Sequence, residues 1–171
     1  ADARTNRLAL DWSAYTPPKP TFLGTRSFKA YDLKTLAEYI DWTPFFQTWE
    51  LSGRYPDILD DPRQGEAARQ LFADAQAMLG RIVEEDLLEA RAVIGFWPAN
   101  AEGDDIAVYS DDTRTDVRAK LHTLRQQMSR RGSDRANVAL SDFVAPRDTG
   151  LADYVGGFVV TAGHREDAAV A

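Results

Sequence analysis

The sequence predicts an α+β fold: a mainly antiparallel, twisted sheet with helices packed on it. Three observations predict it. Short apolar runs bounded by turn residues recur through the second half of the chain. One long stretch, residues 64–83, holds the helical period over several turns. The two kinds of element do not alternate strictly, as they would around a parallel sheet. At 171 residues the chain suits one domain with a sizeable core. Residues 1–171 read as a single, incomplete domain, with 1–20 an extended arm and 21–171 the α+β body.

The arm is rich in proline and aromatic residues, with Trp12, Tyr15, Pro17, Pro18 and Pro20. Proline fixes φ and removes a donor, so the segment should be an extended arm lying on a surface, and its tryptophan and tyrosine point to an arm packed down rather than free. Phe22 to Phe28 reads as a short strand. Asp32 then caps a helix that carries Leu33, Leu36, Ala37 and Ile40 on one face. A second short helix should begin at Thr43-Pro44, with Thr43 as N-cap, Pro44 at the first helical position and Gly53 as its stop.

The strongest helix runs from Gln64 to Val83. Ala67, Leu71, Ala75, Met78 and Ile82 form one stripe, with Ala68, Phe72, Leu79 and Val83 beside it. That stripe should be buried, leaving Arg69 and Asp74 near solvent. Ala92 to Trp97 is a continuous apolar run ended by Pro98, which suits a buried strand. Gly103-Asp104 turns the chain into a strand over Ile106 to Tyr109. Val117 to Met128 fits either period, and the polar linker before it favours a β-hairpin. Tyr154 to Thr161 completes the set as a strand entered through the Gly150 turn.

Composition narrows the function. The net charge is −7 and the acidic residues are dispersed, which argues against gripping nucleic acid. There is no cysteine, so disulfides and thiolate metal sites are excluded; with only His122 and His164 as imidazoles, zinc is not expected in this chain. No apolar run reaches the ~20 residues that span a bilayer, and no signal-peptide pattern opens the chain. The expectation is a cytoplasmic protein with no membrane or nucleic-acid partner. Both ends read as cut. Ala1 is not an initiator methionine, and His164 to Ala171 run out without a stop signal.

One segment carries a specific resemblance. Tyr39-Ile40-Asp41-Trp42-Thr43-Pro44-Phe45-Phe46, continuing to Trp49, Gly53, Tyr55 and Pro56, is similar to the motif of cobalamin-dependent methionine synthase reactivation domains. Further blocks resemble the same family in the same order: Asp11-Trp12 with Tyr15-Thr16-Pro17-Pro18, Gly95 to Asn100, Gly103 to Ile106, Leu124 to Gln127, Ser141 to Pro146, and Asp153 to Gly156. Any one block is weak evidence; their shared order over nearly the whole chain is specific.

The resemblance implies the N-terminal half of a module that binds S-adenosylmethionine. Proteins of this family move a methyl group from methyltetrahydrofolate through cobalamin to homocysteine. When the cobalamin oxidises, the module presents S-adenosylmethionine to it while flavodoxin or another reductase supplies the electron. The corrin belongs to a neighbouring cobalamin-binding domain or subunit. The resemblance carries one binding residue onto this chain, Asp41, and no catalytic one. A carboxylate suits the ligand's α-ammonium in a partly desolvated cleft. The resemblance implies that the other main contacts come from an Arg-Pro-x-Pro-Gly-Tyr motif and a later tyrosine. Neither is present, and Arg54, Arg114 and Arg125 do not match that arginine, so the chain alone should be inactive. A non-catalytic docking module, capping the cobalamin domain or binding the reductase, is the alternative.

Plainer roles stand beside these. Asp41 is also a natural N-cap for the helix that follows it. Trp42, Phe45, Phe46 and Trp49 at this spacing form a core more often than a ligand wall. Asp104-Asp105 and Asp111-Asp112 look like carboxylate pairs for acid–base or metal work, yet both sit at turns, where capping is the commoner use. Arg125-Gln126-Gln127 reads as a solvated element end, and His122 as structural. No nucleophile–base arrangement is present in the sequence pattern.

Overall fold

The structure, a computed structural model, describes residues 2–129 and 135–164; Ala1, 130–134 and most of the terminal stretch read as cut lie outside them. The fold is α+β. Five strands form one sheet: β1 Gly24–Tyr31, β2 Glu89–Glu102, β3 Asp105–Tyr109, β4 Val117–His122 and β5 Asp153–His164. Their order is β1-β2-β3-β4, with β5 also pairing with β2. The helices are α1 Asp2–Thr5, α2 Leu33–Ala37, α3 Trp42–Thr48 and α4 Gly65–Glu84. The described residues fall into two compact units, 2–26 with 93–129 and 135–158, and 27–92 with 159–164, and β1, β2 and β5 each contribute to both.

The first unit is built on an antiparallel meander. β2 pairs with β3 from Ala99↔Val108 to Glu102↔Asp105, leaving Gly103-Asp104 as a two-residue turn. Gly103 has φ 67°, the left-handed conformation that such a tight hairpin needs and glycine adopts without steric cost. β4 then pairs antiparallel with β3, from Asp105↔His122 to Tyr109↔Val117. The hairpin reading of Val117 to Met128 is therefore correct as far as His122. Ala99, Ala101, Ile106, Val108 and Val144 form the core, with Trp97 and Val155 against it.

Three expectations change here. β2 does not end before Pro98 but continues to Glu102. Pro98 precedes Ala99, the first residue of the β3 ladder, so its missing donor costs that ladder nothing. The arm is not extended throughout, since a short 3₁₀ turn spans Trp12–Ala14. It is packed down, as expected: the Asn137 amide donates to Asn6 O at 2.8 Å, and Lys19 pairs with Asp112 at 2.5 Å. Arg125 is buried rather than solvated.

The second unit holds α2, α3 and α4. Asp32 caps α2 by accepting the Thr35 amide at 2.8 Å, as predicted, but α2 stops at Ala37 and leaves Ile40 outside it. α3 starts one residue after Asp41, which is the N-cap in place of Thr43. Pro44 therefore sits inside the first turn, where its absent N–H would have lacked a partner anyway. The helix stop comes earlier than Gly53. Glu50 has φ 61°, and the Leu51 amide reaches back to Phe46 O at 3.0 Å while Glu50 N–H bonds Gln47 O at 3.0 Å. That pair of bonds is the Schellman closure, here with a glutamate in the left-handed position.

α4 follows its predicted span closely, but its inward face is rotated. Ala68 is buried and packs with Phe46 and Ile58, with Leu71 and Phe72 alongside, whereas Met78 is 45% exposed. Leu71, Ala75 and Ile82 of the predicted stripe are half-buried, as are Phe72, Leu79 and Val83 of the companion row, while Ala67 and Met78 face solvent. Arg69 and Asp74 are on the exposed side, as expected. Trp42, Phe45, Leu51 and Leu59 complete this second core.

Candidate functional site

Asp41 is placed by the start of α3. Its backbone is extended, with φ −78° and ψ 108°, which turns the side chain back over the first helical turn. Oδ1 accepts the Thr43 amide at 3.0 Å. Oδ2 has no partner among the described residues, and the residue is exposed. One oxygen therefore orients the carboxylate while the other remains available. The Thr43 hydroxyl, not used as a cap, accepts the Tyr55 amide at 3.2 Å and ties the loop after α3 to its first turn.

The aromatic residues that follow Asp41 mostly form core. Trp42 meets Phe45 edge-on at 5.4 Å between ring centroids and Phe72 at 5.0 Å, and Tyr55 lies 5.3 Å from Phe72. Phe46 is fully buried among them. Trp49 differs from its neighbours, being 61% exposed. This wall gives α3 a fixed seat, and so fixes the direction of Asp41.

The other sequence candidates are occupied in the fold. The buried Arg125 guanidinium donates through Nε and Nη2 to Asp104 Oδ1, at 2.9 and 2.7 Å, and through Nη1 and Nη2 to Asp142 at 2.7 Å each. Asp104 is held below the usual carboxylate range by the hydrogen bonds from Arg125, against the cost of burial, with help from Arg4. Arg114 donates to Ala99 O, to Asn100 Oδ1 and to Asp153 O at 3.1, 2.9 and 2.8 Å, and lies over the Tyr154 ring. Neither arginine is free for a ligand.

The adjacent aspartates do not act as pairs. Asp104 turns to Arg125 and Arg4, while Asp105 meets the exposed His122 at 3.0 Å. Asp111 closes its own turn on Thr113, and Asp112 takes Lys19. Asp104 and Asp112 are thus ion-pair partners, where turn roles alone were expected. Among the described residues no group of three or more His, Asp or Glu is placed to hold a metal. None of their helices is long and apolar enough to cross a membrane. A cleft of about 390 Å³ in the first unit, lined by Arg7, Leu10, Trp12, Glu102, Ser141 and Arg147 among others, contains no residue singled out as a ligand contact from the sequence.

Comparison with known proteins decides the family. A family model described as vitamin B12 dependent methionine synthase, activation domain, matches residues 32–171. The chain belongs to this activation-domain family. Its fold is also similar to the crystal structure of the MetH reactivation domain bound to AdoHcy, with a TM-score of 0.81 and 50% sequence identity. That match covers 98% of this chain and 50% of the other, so the chain spans about half the length of that activation domain. Within the family match lie Asp41, α3 and the whole sheet after β1.

Sequence reasoning missed the Arg125 cluster in this activation-domain chain. Its partners lie 21 and 17 residues away, beyond any local pattern. The one available signal was Asp104 and Asp142 each standing within a block matched to the family.

Proposed function

We propose that this chain is the part of a methionine synthase activation domain that offers Asp41 to the α-ammonium of S-adenosylmethionine during reductive remethylation of oxidised cobalamin. Residues 1–171 are read as one incomplete domain of that larger module. The observation that carries the reading is the Asp41 carboxylate, held by the Thr43 amide through one oxygen and open at the other. The family match and the AdoHcy ligand of the similar MetH domain support it.

The fit is chemical. An exposed carboxylate already oriented by a backbone amide loses little freedom on meeting an ammonium, and a charge-assisted bond of this kind contributes about 1.5–3 kcal/mol. Bound S-adenosylmethionine would supply an activated methyl group. The sulfonium is a good leaving group, so the chain's task is to position rather than to move protons. Asp41 would fix the amino-acid end, and the aromatic seat of α3 would keep that end from shifting. Cobalamin is proposed to be held by a neighbouring domain or subunit. Flavodoxin or another reductase is the proposed electron donor, in the cytoplasm. The parent enzyme would transfer methyl from methyltetrahydrofolate to homocysteine.

Asp41→Asn in the full-length protein tests the reading. Asparagine still caps a helix, so folding should hold, while calorimetry should show S-adenosylmethionine binding weakened by roughly 10- to 150-fold. Unchanged affinity with normal stability would remove Asp41 from the site.

A further inference from the structure

Tyr39 is 81% exposed, two residues before Asp41 in the turn that joins α2 to α3. Among the described residues its side chain has no hydrogen bond and no aromatic partner, although the neighbouring rings Trp42, Phe45, Phe46, Tyr55 and Phe72 all pack together. Only the Tyr39 backbone is engaged, through its amide to Leu36 O at 3.0 Å. The fold holds the main chain of this turn and leaves the ring free.

A large aromatic side chain presented to solvent contributes nothing to a core, but its face carries negative potential that attracts a cation. Alternate residues of a chain stand at most ~7 Å apart at Cα. A ring at position 39 and a carboxylate at position 41 can therefore both reach one small molecule. In S-adenosylmethionine the ammonium and the sulfonium are separated by three carbons. A ligand whose ammonium rests on Asp41 would have its second cation close by.

We infer that Tyr39 is a specificity-determining residue of this site, reading the positive sulfonium through the face of its ring. The inference rests on the proposed S-adenosylmethionine site at Asp41. Its distinctive consequence is discrimination. The sulfonium ligand and its thioether product, S-adenosylhomocysteine, share every other group, including the ammonium that Asp41 would meet. They differ at the sulfur by one methyl and one positive charge, so a cation–π contact favours the methyl donor over the spent product.

The test compares the two ligands. Calorimetry on the full-length protein, without reductant so that no methyl moves, gives the ratio of their dissociation constants for the unaltered protein, Tyr39→Phe and Tyr39→Leu. Phenylalanine keeps the ring face and should keep the ratio. Leucine should cut the preference for the sulfonium by about two- to thirty-fold, with little change in S-adenosylhomocysteine affinity. Equal loss for both ligands would mean that the ring packs against a shared group, and no change for either would mean that it takes no part; either result overturns the inference while leaving the Asp41 site standing. If the unaltered protein binds neither ligand, the proposed site itself fails, and this inference with it. Because Tyr39 is exposed, neither substitution should disturb folding.

Discussion

Arg125 and Asp142 are joined by two parallel hydrogen bonds, Nη1 to Oδ2 and Nη2 to Oδ1, each 2.7 Å long. The guanidinium side chain is 2% exposed and the carboxylate 6%. Asp142 is fixed in turn by the Ala139 amide at 2.9 Å, and Arg125 by the Asn137 carbonyl at 2.7 Å. The pair closes the loop after β4 onto the β2–β3 turn through Asp104. Such a pair earns its keep mainly by being intact, because either member left alone is a buried, uncompensated charge.

Arg125→Ala should therefore cost about 3–5 kcal/mol of stability. The measurement is the shift in urea midpoint of the first unit's tryptophan signal, from Trp12 and Trp97. A shift within experimental scatter would show that water reaches the stranded carboxylates.

The same cluster sets a pH response. Burial pushes Asp142 up, but the hydrogen bonds from Arg125 and the Ala139 amide, with the Arg125 charge, outweigh it and hold the group below its ordinary value. Asp104 is lowered as well, first by its bonds to Arg125. A depressed folded value stabilises the protein above the unfolded carboxylate value of about 3.9, and that stability is lost as pH falls through the folded values below it. Urea midpoints should hold from pH 7 to about 5 as far as these groups are concerned, then fall below about pH 4. The penalty of Arg125→Ala should shrink over the same acid range. A penalty independent of pH would show that the two carboxylates do not carry it.

Phe46→Ala should cost about 3–5 kcal/mol, since the ring is fully buried beneath α4, whereas Met78→Ala should stay within about 0.5 kcal/mol. Comparable losses at both positions in thermal unfolding would place the inward face of α4 on the wrong side.

Gly95 lies within β2, where an added Cβ would stand 2.3 Å from Trp97 Cη2 and 2.8 Å from its Cζ2. Gly95→Ala should force the indole to move and cost about 1–3 kcal/mol, read from the denaturation midpoint and the Trp97 emission. An unchanged emission with unchanged stability would show that the indole gives way freely.

Residues 1–171 alone should bind S-adenosylmethionine at least about a hundredfold more weakly than the full-length protein. The ligand also carries a carboxylate, and Arg114 and Arg125 are engaged within the chain. Losing a charged partner costs a few kcal/mol, each 1.4 being tenfold. Equilibrium dialysis decides it; equal affinity would make the remaining contacts dispensable.

Much of the fold was legible because it rests on local rules. The period of residues 64–83 marks α4, and Gly103-Asp104 marks the hairpin, since each is decided within a few residues. The start of α3 reads two ways, at Thr43 from Pro44 and at Asp41 as a natural N-cap. Asp41 is the cap, and the two readings arise because both side chains are competent caps and Pro44 is tolerated at more than one position of a first turn. The rotation of α4 depended on where Phe46 and Ile58 arrive in space, which no helical period encodes. Asp41 was found by motif resemblance. Its open oxygen and the bare ring of Tyr39 needed coordinates.

The docking of the arm has a consequence for synthesis on the ribosome. The Asn6 side chain donates to Asn137 Oδ1 at 2.8 Å across 131 residues of sequence. The segment around Asn6 leaves the exit tunnel ahead of this anchor, which is available only after the loop beyond β4 has emerged. The proline-rich stretch that follows Asn6 is thus made well before its docking site, and until then its apolar side chains are open to chaperones.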